Sequence, residues 1–367
     1  MNKVYVNATS IKSVCGNTEE TFEAIFHKRS GLAIFERIVP NKRICIGKIK
    51  NKTSFDALLY ESVNEILVKS NLRDFSNTLL LVGSSVGGMA STEEALFKDV
   101  KYENIDIQKH PINAIASALN QKYNFFANRS FSTACTSSAN ALKVAKELIE
   151  CGAYKNILVV GADEICATTI FGFNSLGILS DEICTPFKHE RKGMNVAEGI
   201  GSLLLQNKRY PDSIEFTGAG TSSDAYHIAN PDPNANGAIS AITKALNDAS
   251  VNARQVNYIN AHGTGTQAND AAETIAIQSI FSNETFVSSS KPNIGHTLGA
   301  AGAIEAIICV EALKRQLLPP QINCERQDKT FNIVQDAASA KIEYALSNSF
   351  AFGGNNVSLV FGVCHEN

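Results

Sequence analysis

Near-continuous apolar runs alternate along this chain with stretches whose apolar positions recur at helical spacing. Five short β-rich runs stand out: "NTLLLVGSS" (77–85), "KNILVVGAD" (155–163), "GSLLLQN" (201–207), "VNYINAHG" (256–263) and "NNVSLVFGV" (355–363). Leu, Val and Ile runs without regular polar alternation read as strands buried on both faces. Between them, 138–150 sets Leu142, Ala145, Leu148 and Ile149 on one helical face, and 299–315 is a second, Ala-rich helical stretch. Strand–helix alternation of this kind predicts a layered α/β fold.

The pattern also echoes itself. "LLLVGSSVGG" leads to a cysteine turn, an Ala-rich helix and "NILVVGADE"; later "VNYINAHGTG" leads to a "KPNIGH" turn, another Ala-rich helix and "SNSFAFGGNNVSLVFG". The spacing is too long for a solenoid repeat. It predicts two similar halves, 1–206 and 207–367, with a site at their junction. No Pro/Ser-rich linker separates them.

Composition narrows the picture by exclusion. A net charge of −3 over 367 residues provides no global basic field for nucleic acid or a membrane surface. The start, "MNKVYVNATSIKSVCGN", lacks a signal-peptide core, and no apolar run reaches membrane-spanning length. The nine cysteines lack CxxC spacing, which argues against a disulfide framework or a structural zinc site and for a reducing, cytoplasmic setting.

Candidate chemistry then concentrates in four places. Cys135, in "TACTSS", falls where an apolar run turns into a helix. A strand ending near Ala134 would put it at a helix N-terminus, where the dipole lowers a thiol pKa and free N–H groups can hold an oxyanion. His262 follows a strand in "NAHGTGT", and His296 precedes a small-residue helix in "KPNIGHTLGAAGAIE". The two histidines are far apart in sequence, with no local ligand pair for a metal. Phe352-Gly353-Gly354, in "NSFAFGGNN", joins a bulky side chain to flexible backbone.

In that order these four motifs resemble the elongating β-ketoacyl-acyl-carrier-protein synthases, Cys-His-His condensing enzymes of the thiolase superfamily. "GSSVGG" (83–88), "TPFKHERKGMNVAEGIGSLLL" (185–205) and "GTSSDAYHIANP" (220–231) extend the likeness over essentially the whole chain. The resemblance implies a thiolase-like five-layered αβαβα fold from two duplicated halves. It implies that Cys135 accepts an acyl chain from phosphopantetheine, and that His262 and His296 act on a malonyl unit in a decarboxylative condensation. Lys291 would join the catalytic set, in the K-x-x-x-G-H element that positions the second histidine. Thr264 and Thr266 would bind the pantetheine arm, Phe352 beside Gly353 would gate, and Val86 would stand near the end of the acyl tunnel. Asp270, Glu305 and Glu198 would be structural polar residues, and the N–H groups of Cys135 and Phe352 would form the oxyanion hole. No metal or redox cofactor is implied.

The implied partners are an acyl carrier protein and a second subunit, either a copy of this chain or a ketosynthase-like partner. The pairing strand is expected near 155–161. An acidic carrier calls for a basic patch, with Lys42 and Arg43, or Lys122 and Arg129, as candidates. Neither nucleic acid nor membrane insertion is implied. "HERKGM" and "FAFGGNN" depart from the commonest family patterns, which points towards stand-alone ketosynthases of aryl polyene or other secondary-lipid pathways. The rival reading is a non-catalytic, chain-length-factor-type subunit; the presence of Cys135 with both histidines argues against it.

Overall fold

A computed structural model describes residues 1–50, 54–99, 103, 105–324 and 331–364. The first half runs β1 (Tyr5–Lys12), α1 (Thr18–Phe26), a hairpin of β2 (Ala33–Val39) and β3 (Lys42–Ile46), α2 (Phe55–Lys69), β4 (Leu79–Gly83) and α3 (Met89–Asp99). It continues with α4 (Ala114–Tyr123), β5 (Ala127–Phe131), α5 (Ser137–Glu150), β6 (Asn156–Asp163), α6 (Ala167–Ser175) and β7 (Gly199–Gln206). The second half runs β8 (Ile214–Ser223), α7 (Asn236–Ala249), β9 (Val256–Asn260), α8 (Gln267–Ile280), β10 (Phe286–Ser288), α9 (Lys291–Ile294) and α10 (Ala301–Arg315). Three two-residue strands follow, β11 (Leu317–Leu318), β12 (Asn332–Ile333) and β13 (Ala338–Ser339), before β14 (Tyr344–Phe350) and β15 (Asn355–Val363).

The duplication seen in the sequence is repeated in the topology. The strands lie in the order β12-β10-β9-β14-β15-β8-β1-β7-β6-β4-β5. Leaving aside the hairpin β2–β3 and the two-residue strands β11, β12 and β13, each half places its third strand outside the second, fourth, fifth and first, and β12 adds to the second half beyond β10. In both halves the second strand pairs parallel with its neighbours, and the fourth, fifth and first pair antiparallel. The halves meet where β1 pairs with β8 at Tyr5–Glu215 and Val6–Ile214.

Two helices form the middle layer. α5 packs against β4 and β6 of one half and β8 and β15 of the other, while α10 touches β6, β7, β14 and β15. A helix between two sheets must be apolar all round, and every residue from Ala301 to Leu313 is buried. The crossing of α5 and α10 is close, because a Cβ on Gly302 would stand 2.7 Å from the backbone N of Ala139. On the outside, α2 and α4 cover the first half's strands and α7 covers those of the second. The result is the expected five-layered, thiolase-like arrangement.

One expectation is corrected. The run at 155–161 is not an edge available to a second subunit, because β6 is paired on both sides, with β4 and β7. Its apolar character comes from burial between helix layers. The free edge of this half is β5.

Candidate active site

The turn before α5 presents Cys135. β5 ends at Phe131 and the helix begins at Ser137, so the strand stops three residues earlier than its apolar pattern suggests. Ala134 explains the break. Its φ of +53° lies in the left-handed region, which no strand can continue through. Such a conformation costs a non-glycine residue on the order of 1–3 kcal/mol unless its surroundings hold it. Here the Ala134 carbonyl accepts from Ser85 Oγ at 2.9 Å, Ser137 N at 3.1 Å and Ser137 Oγ at 2.6 Å.

The charge state of the nucleophile differs from the expectation. Burial pushes the Cys135 thiol up to about 12; the Lys291 ammonium opposes this, and the Asp163 and Glu305 carboxyls reinforce it. Desolvation of an isolated thiolate outweighs a helix dipole, which is worth roughly 0.3–1 kcal/mol. Cys135 is therefore a neutral thiol in the resting site.

Both histidines arrive at this thiol. His262 follows β9, His296 follows α9, and their rings meet edge to face with centroids 5.2 Å apart. His296 Nε2 lies 3.1 Å from Cys135 Sγ, while His296 Nδ1 accepts the Leu298 N–H at 3.2 Å. With Nδ1 accepting, the neutral ring carries its proton on Nε2. His262 is held likewise: Lys291 Nζ stands 3.3 Å from its Nδ1 and also bonds the His262 carbonyl and Glu305. Burial, reinforced by the Lys291 charge, holds both imidazoles well below their ordinary range. His296 thus presents its Nε2–H to the thiol, and the neutral His262 ring stands edge to face with it on the same cavity. The Lys291 side chain turns to His262 and not to His296. The buried ammonium is drawn to the Glu305 carboxylate and the His262 carbonyl.

A ring of buried carboxyls secures these loops. Glu273 accepts the N–H groups of His262 and Gly263, both at 2.8 Å, and Asn348 Nδ2 at 3.2 Å. Asp270 accepts Phe187 N at 2.8 Å and Gly265 N at 3.2 Å, with Arg191 Nε 3.5 Å away. Asp163 gathers Ser84 Oγ, the N–H groups of Ser85 and Val86, and Gly299 N, which ties the Cys135 side to the turn after His296. Glu198 accepts Ile49 N at 2.6 Å and serves the β3 side of the fold. Glu273 and Asp163 were not singled out from the sequence. For Glu273 the available signal was its place three residues after Asp270 on one helical face.

The Cys135, His262 and His296 side chains open into a cavity of about 50 Å³. Cys135, His262, His296, Thr264, Thr266 and Phe352 all line it, together with Phe173, Met194 and Asn269, which sequence reading missed. The Thr264 and Thr266 hydroxyls are 2.9 Å apart. The Phe352 ring packs on Phe173 with centroids 6.0 Å apart. Gly353, at φ +82°, stands behind the cavity and donates its N–H to the Ile228 carbonyl at 2.8 Å. Val86, expected on the acyl tunnel, does not line this cavity; it belongs to the apolar cluster beside it, which also contains Met194. Among the described residues no three His, Cys, Asp or Glu side chains come close enough to share a metal ion.

The chain matches the family models described as "Beta-ketoacyl synthase, N-terminal domain" over residues 47–210 and "Beta-ketoacyl synthase, C-terminal domain" over 214–325. It is 33% identical to a protein named "Putative 3-oxoacyl-[acyl-carrier-protein] synthase, mitochondrial" of Schizosaccharomyces pombe, covering 86% of this chain and 82% of the relative. It is 30% identical to "3-oxoacyl-[acyl-carrier-protein] synthase 2" of Synechocystis sp., covering 98% and 97%. Among solved structures, the ketosynthase ApeO in complex with its chain length factor ApeC from Xenorhabdus doucetiae superposes with a TM-score of 0.89 at 30% identity, covering 99% and 98% of the two chains.

Proposed function

We propose a division of labour for this chain, which belongs to the beta-ketoacyl synthase family and is a condensing acyltransferase of the 3-oxoacyl-[acyl-carrier-protein] synthase type. Cys135 Sγ attacks the thioester of an acyl carrier protein. The C–S bond to the carrier breaks, and the departing carrier sulfur leaves with the thiol proton. The oxyanion formed on the way is held by the N–H groups of Cys135 and Phe352. A malonyl thioester then enters, its pantetheine arm along Thr264 and Thr266. Loss of carbon dioxide leaves an enolate, whose oxygen accepts the two Nε2–H groups of His262 and His296. The enolate carbon attacks the acyl-Cys135 carbonyl, which gives a 3-oxoacyl carrier protein and, after uptake of one proton, the free thiol. Lys291 and Glu305 act as positioning residues behind His262. Decarboxylation generates the carbanion, so the scheme draws on no metal or redox cofactor.

The observation that carries this reading is the pair of neutral imidazoles lining the cavity with Cys135, each with Nδ1 occupied and with His296 Nε2 3.1 Å from the thiol sulfur. The test is to supply an acyl thioester and malonyl carrier protein and follow both carbon dioxide and product mass. A product two carbons longer than the acyl donor is expected. Carbon dioxide release without carbon–carbon bond formation would overturn the assignment.

The carrier is proposed to dock beside the β2–β3 hairpin. Lys42 and Arg43 are exposed at its tip, and Lys42 Nζ donates to Asn174 Oδ1 at 2.7 Å, next to the cavity-lining Phe173. Lys122, by contrast, lies over the Tyr60 ring at 3.9 Å, and Arg129 is on β5. Charge reversal, Lys42→Glu with Arg43→Glu, should raise KM about tenfold more for a carrier-borne acyl group than for the same group on pantetheine. The added factor should shrink as salt rises. Equal changes for both substrates would place the docking patch elsewhere.

We further propose that the second subunit, a copy of this chain or a ketosynthase-like partner, pairs at the open edge β5. Proline at Ser130 removes an N–H from that strand and should shift the purified protein to monomer in light scattering. An unchanged mass would exclude β5 as the seam. A cytoplasmic setting is part of the same proposal, supported by nine free cysteines. Among the described residues no helix is long and apolar enough to cross a membrane. An aryl polyene or related lipid pathway is proposed from the departures "HERKGM" and "FAFGGNN" in the sequence.

A further inference from the structure

Two strained backbone positions flank the reacting pair. Ala134, directly before Cys135, and Leu298, two residues after His296, both adopt a φ of +53°. A residue with a side chain keeps that left-handed conformation only where its surroundings over-determine it. The Leu298 turn bears directly on the chemistry. Its N–H donates to His296 Nδ1 at 3.2 Å, which leaves the ring's proton on Nε2, 3.1 Å from Cys135 Sγ. The His296 backbone is fixed separately, its N–H donating to Asn195 O at 2.7 Å and its carbonyl accepting Ala197 N at 2.9 Å. The direction and tautomer of the ring therefore depend on where Leu298 holds its N–H.

Both strained turns end on one side chain. Asp163 is fully buried at the end of β6, a strand paired on both sides and so a rigid base. Its Oδ1 accepts Ser84 Oγ at 2.5 Å and Val86 N at 3.1 Å. Its Oδ2 accepts Gly299 N, from the residue after Leu298, at 2.6 Å. Ser85 N lies between the two oxygens, at 3.0 and 2.9 Å, and Ser85 Oγ in turn donates to the Ala134 carbonyl at 2.9 Å. The turns are packed hard together here: a Cβ on Gly299 would stand 2.7 Å from Ser85 N and 2.8 Å from Asp163 Oδ2.

We propose that Asp163 is a positioning residue that sets His296 against Cys135, its Oδ2 holding the histidine's turn and its Oδ1 the cysteine's. The inference rests on the ketosynthase reading above and adds what keeps its two reacting turns in register. The two oxygens can be separated by substitution. Asparagine keeps one acceptor oxygen, and turned towards Ser84, Ser85 and Val86 that oxygen serves three donors, which sets the amide N–H groups against Gly299 N. Asp163→Asn thus releases the histidine's turn and spares the cysteine's. Ser85→Ala does the reverse, since it deletes the hydroxyl that reaches the Ala134 carbonyl.

The experiment follows two half-reactions in wild type, Asp163→Asn and Ser85→Ala. One is carbon dioxide release from malonyl N-acetylcysteamine; the other is Cys135 acylation, read by intact mass, from the fastest of a set of acyl N-acetylcysteamine thioesters. A general loss of folding lowers both alike, so the quantity compared is the ratio of decarboxylation to acylation. Asp163→Asn should lower that ratio about fivefold or more, because it misdirects one enolate donor without deleting it, and the fall should lie in kcat, with KM for the malonyl thioester within about twofold of wild type. Ser85→Ala should raise the ratio about threefold, because the oxyanion-holding turn at Cys135 loosens. A ratio within about twofold of wild type in Asp163→Asn, a fall carried by KM, or shifts of the same sign in both variants overturns the inference. Should Asp163→Asn not fold, Ser85→Ala decides alone, and a ratio that does not rise overturns it. A wild type that neither acylates nor decarboxylates would instead overturn the ketosynthase reading itself.

Discussion

Cys135→Ala is expected to abolish acyl loading and condensation, with losses on the order of 10⁴–10⁶-fold as for removal of other covalent nucleophiles. The substitution deletes one sulfur from a site whose frame does not depend on it. Ala134 is held through its carbonyl by Ser85 and Ser137, and the histidines are held by Leu298, Lys291 and Glu273. The variant should therefore fold and still release carbon dioxide from a malonyl thioester, since that half-reaction uses the two imidazoles alone. Intact mass should show no acyl adduct while decarboxylation persists. Condensation at the wild-type rate would remove Cys135 from the mechanism, and a variant that neither loads nor decarboxylates, though folded, would show that the two half-reactions cannot be separated in this way.

The second large effect concerns those imidazoles. His296→Ala and His262→Ala each delete one of two donors to the enolate oxygen, and loss of such a donor costs about 10²–10³-fold. Decarboxylation should fall by that factor in either variant even with Cys135 intact. The pH dependence has a definite sign. Burial and the Lys291 charge depress both imidazoles well below 6.5, so the neutral donor form persists as pH falls past that value. Decarboxylation by wild type should stay level between pH 8 and 6, where an ordinary histidine would already be charging. A half-loss centred near pH 6.5 would mean that the rings titrate freely. Lys291→Met should move both imidazoles part of the way towards that ordinary behaviour, because it removes the positive charge that adds to burial in keeping the rings neutral.

Much of the fold was readable before any coordinates. Runs such as "NILVVGAD" carry their burial in their composition, and the repeated order of strand, glycine loop, turn and helix announced two like halves. The four motifs likewise named Cys135, His262 and His296, since each is a reactive residue next to small residues at a strand or helix end. What stayed hidden depended on distant contacts. The 155–161 run is apolar whether its strand lies at an edge or in the middle of a sheet, and only the pairing of β6 with both β4 and β7 decides which. Glu273 and Asp163 look like ordinary acidic residues in sequence, because their value lies in backbone N–H groups contributed by other segments.

Local chemistry along the chain determined the layers, the duplication and the candidate reacting groups that the fold brings together. Hydrophobic periodicity and small-residue turns act over a few residues and can be read in one dimension. The tertiary structure alone decided the protonation states and the shape of the site. Cys135 was expected as a thiolate at a helix end, and it is a neutral thiol because the packing of both halves around it removes water. Lys291 is near His296 in sequence, yet its side chain meets His262 and Glu305, which is on the central helix. Met194 faces Cys135 across nearly 60 positions of sequence. Desolvation and cavity walls are sums over neighbours from many segments, and those neighbours are chosen only when the chain closes.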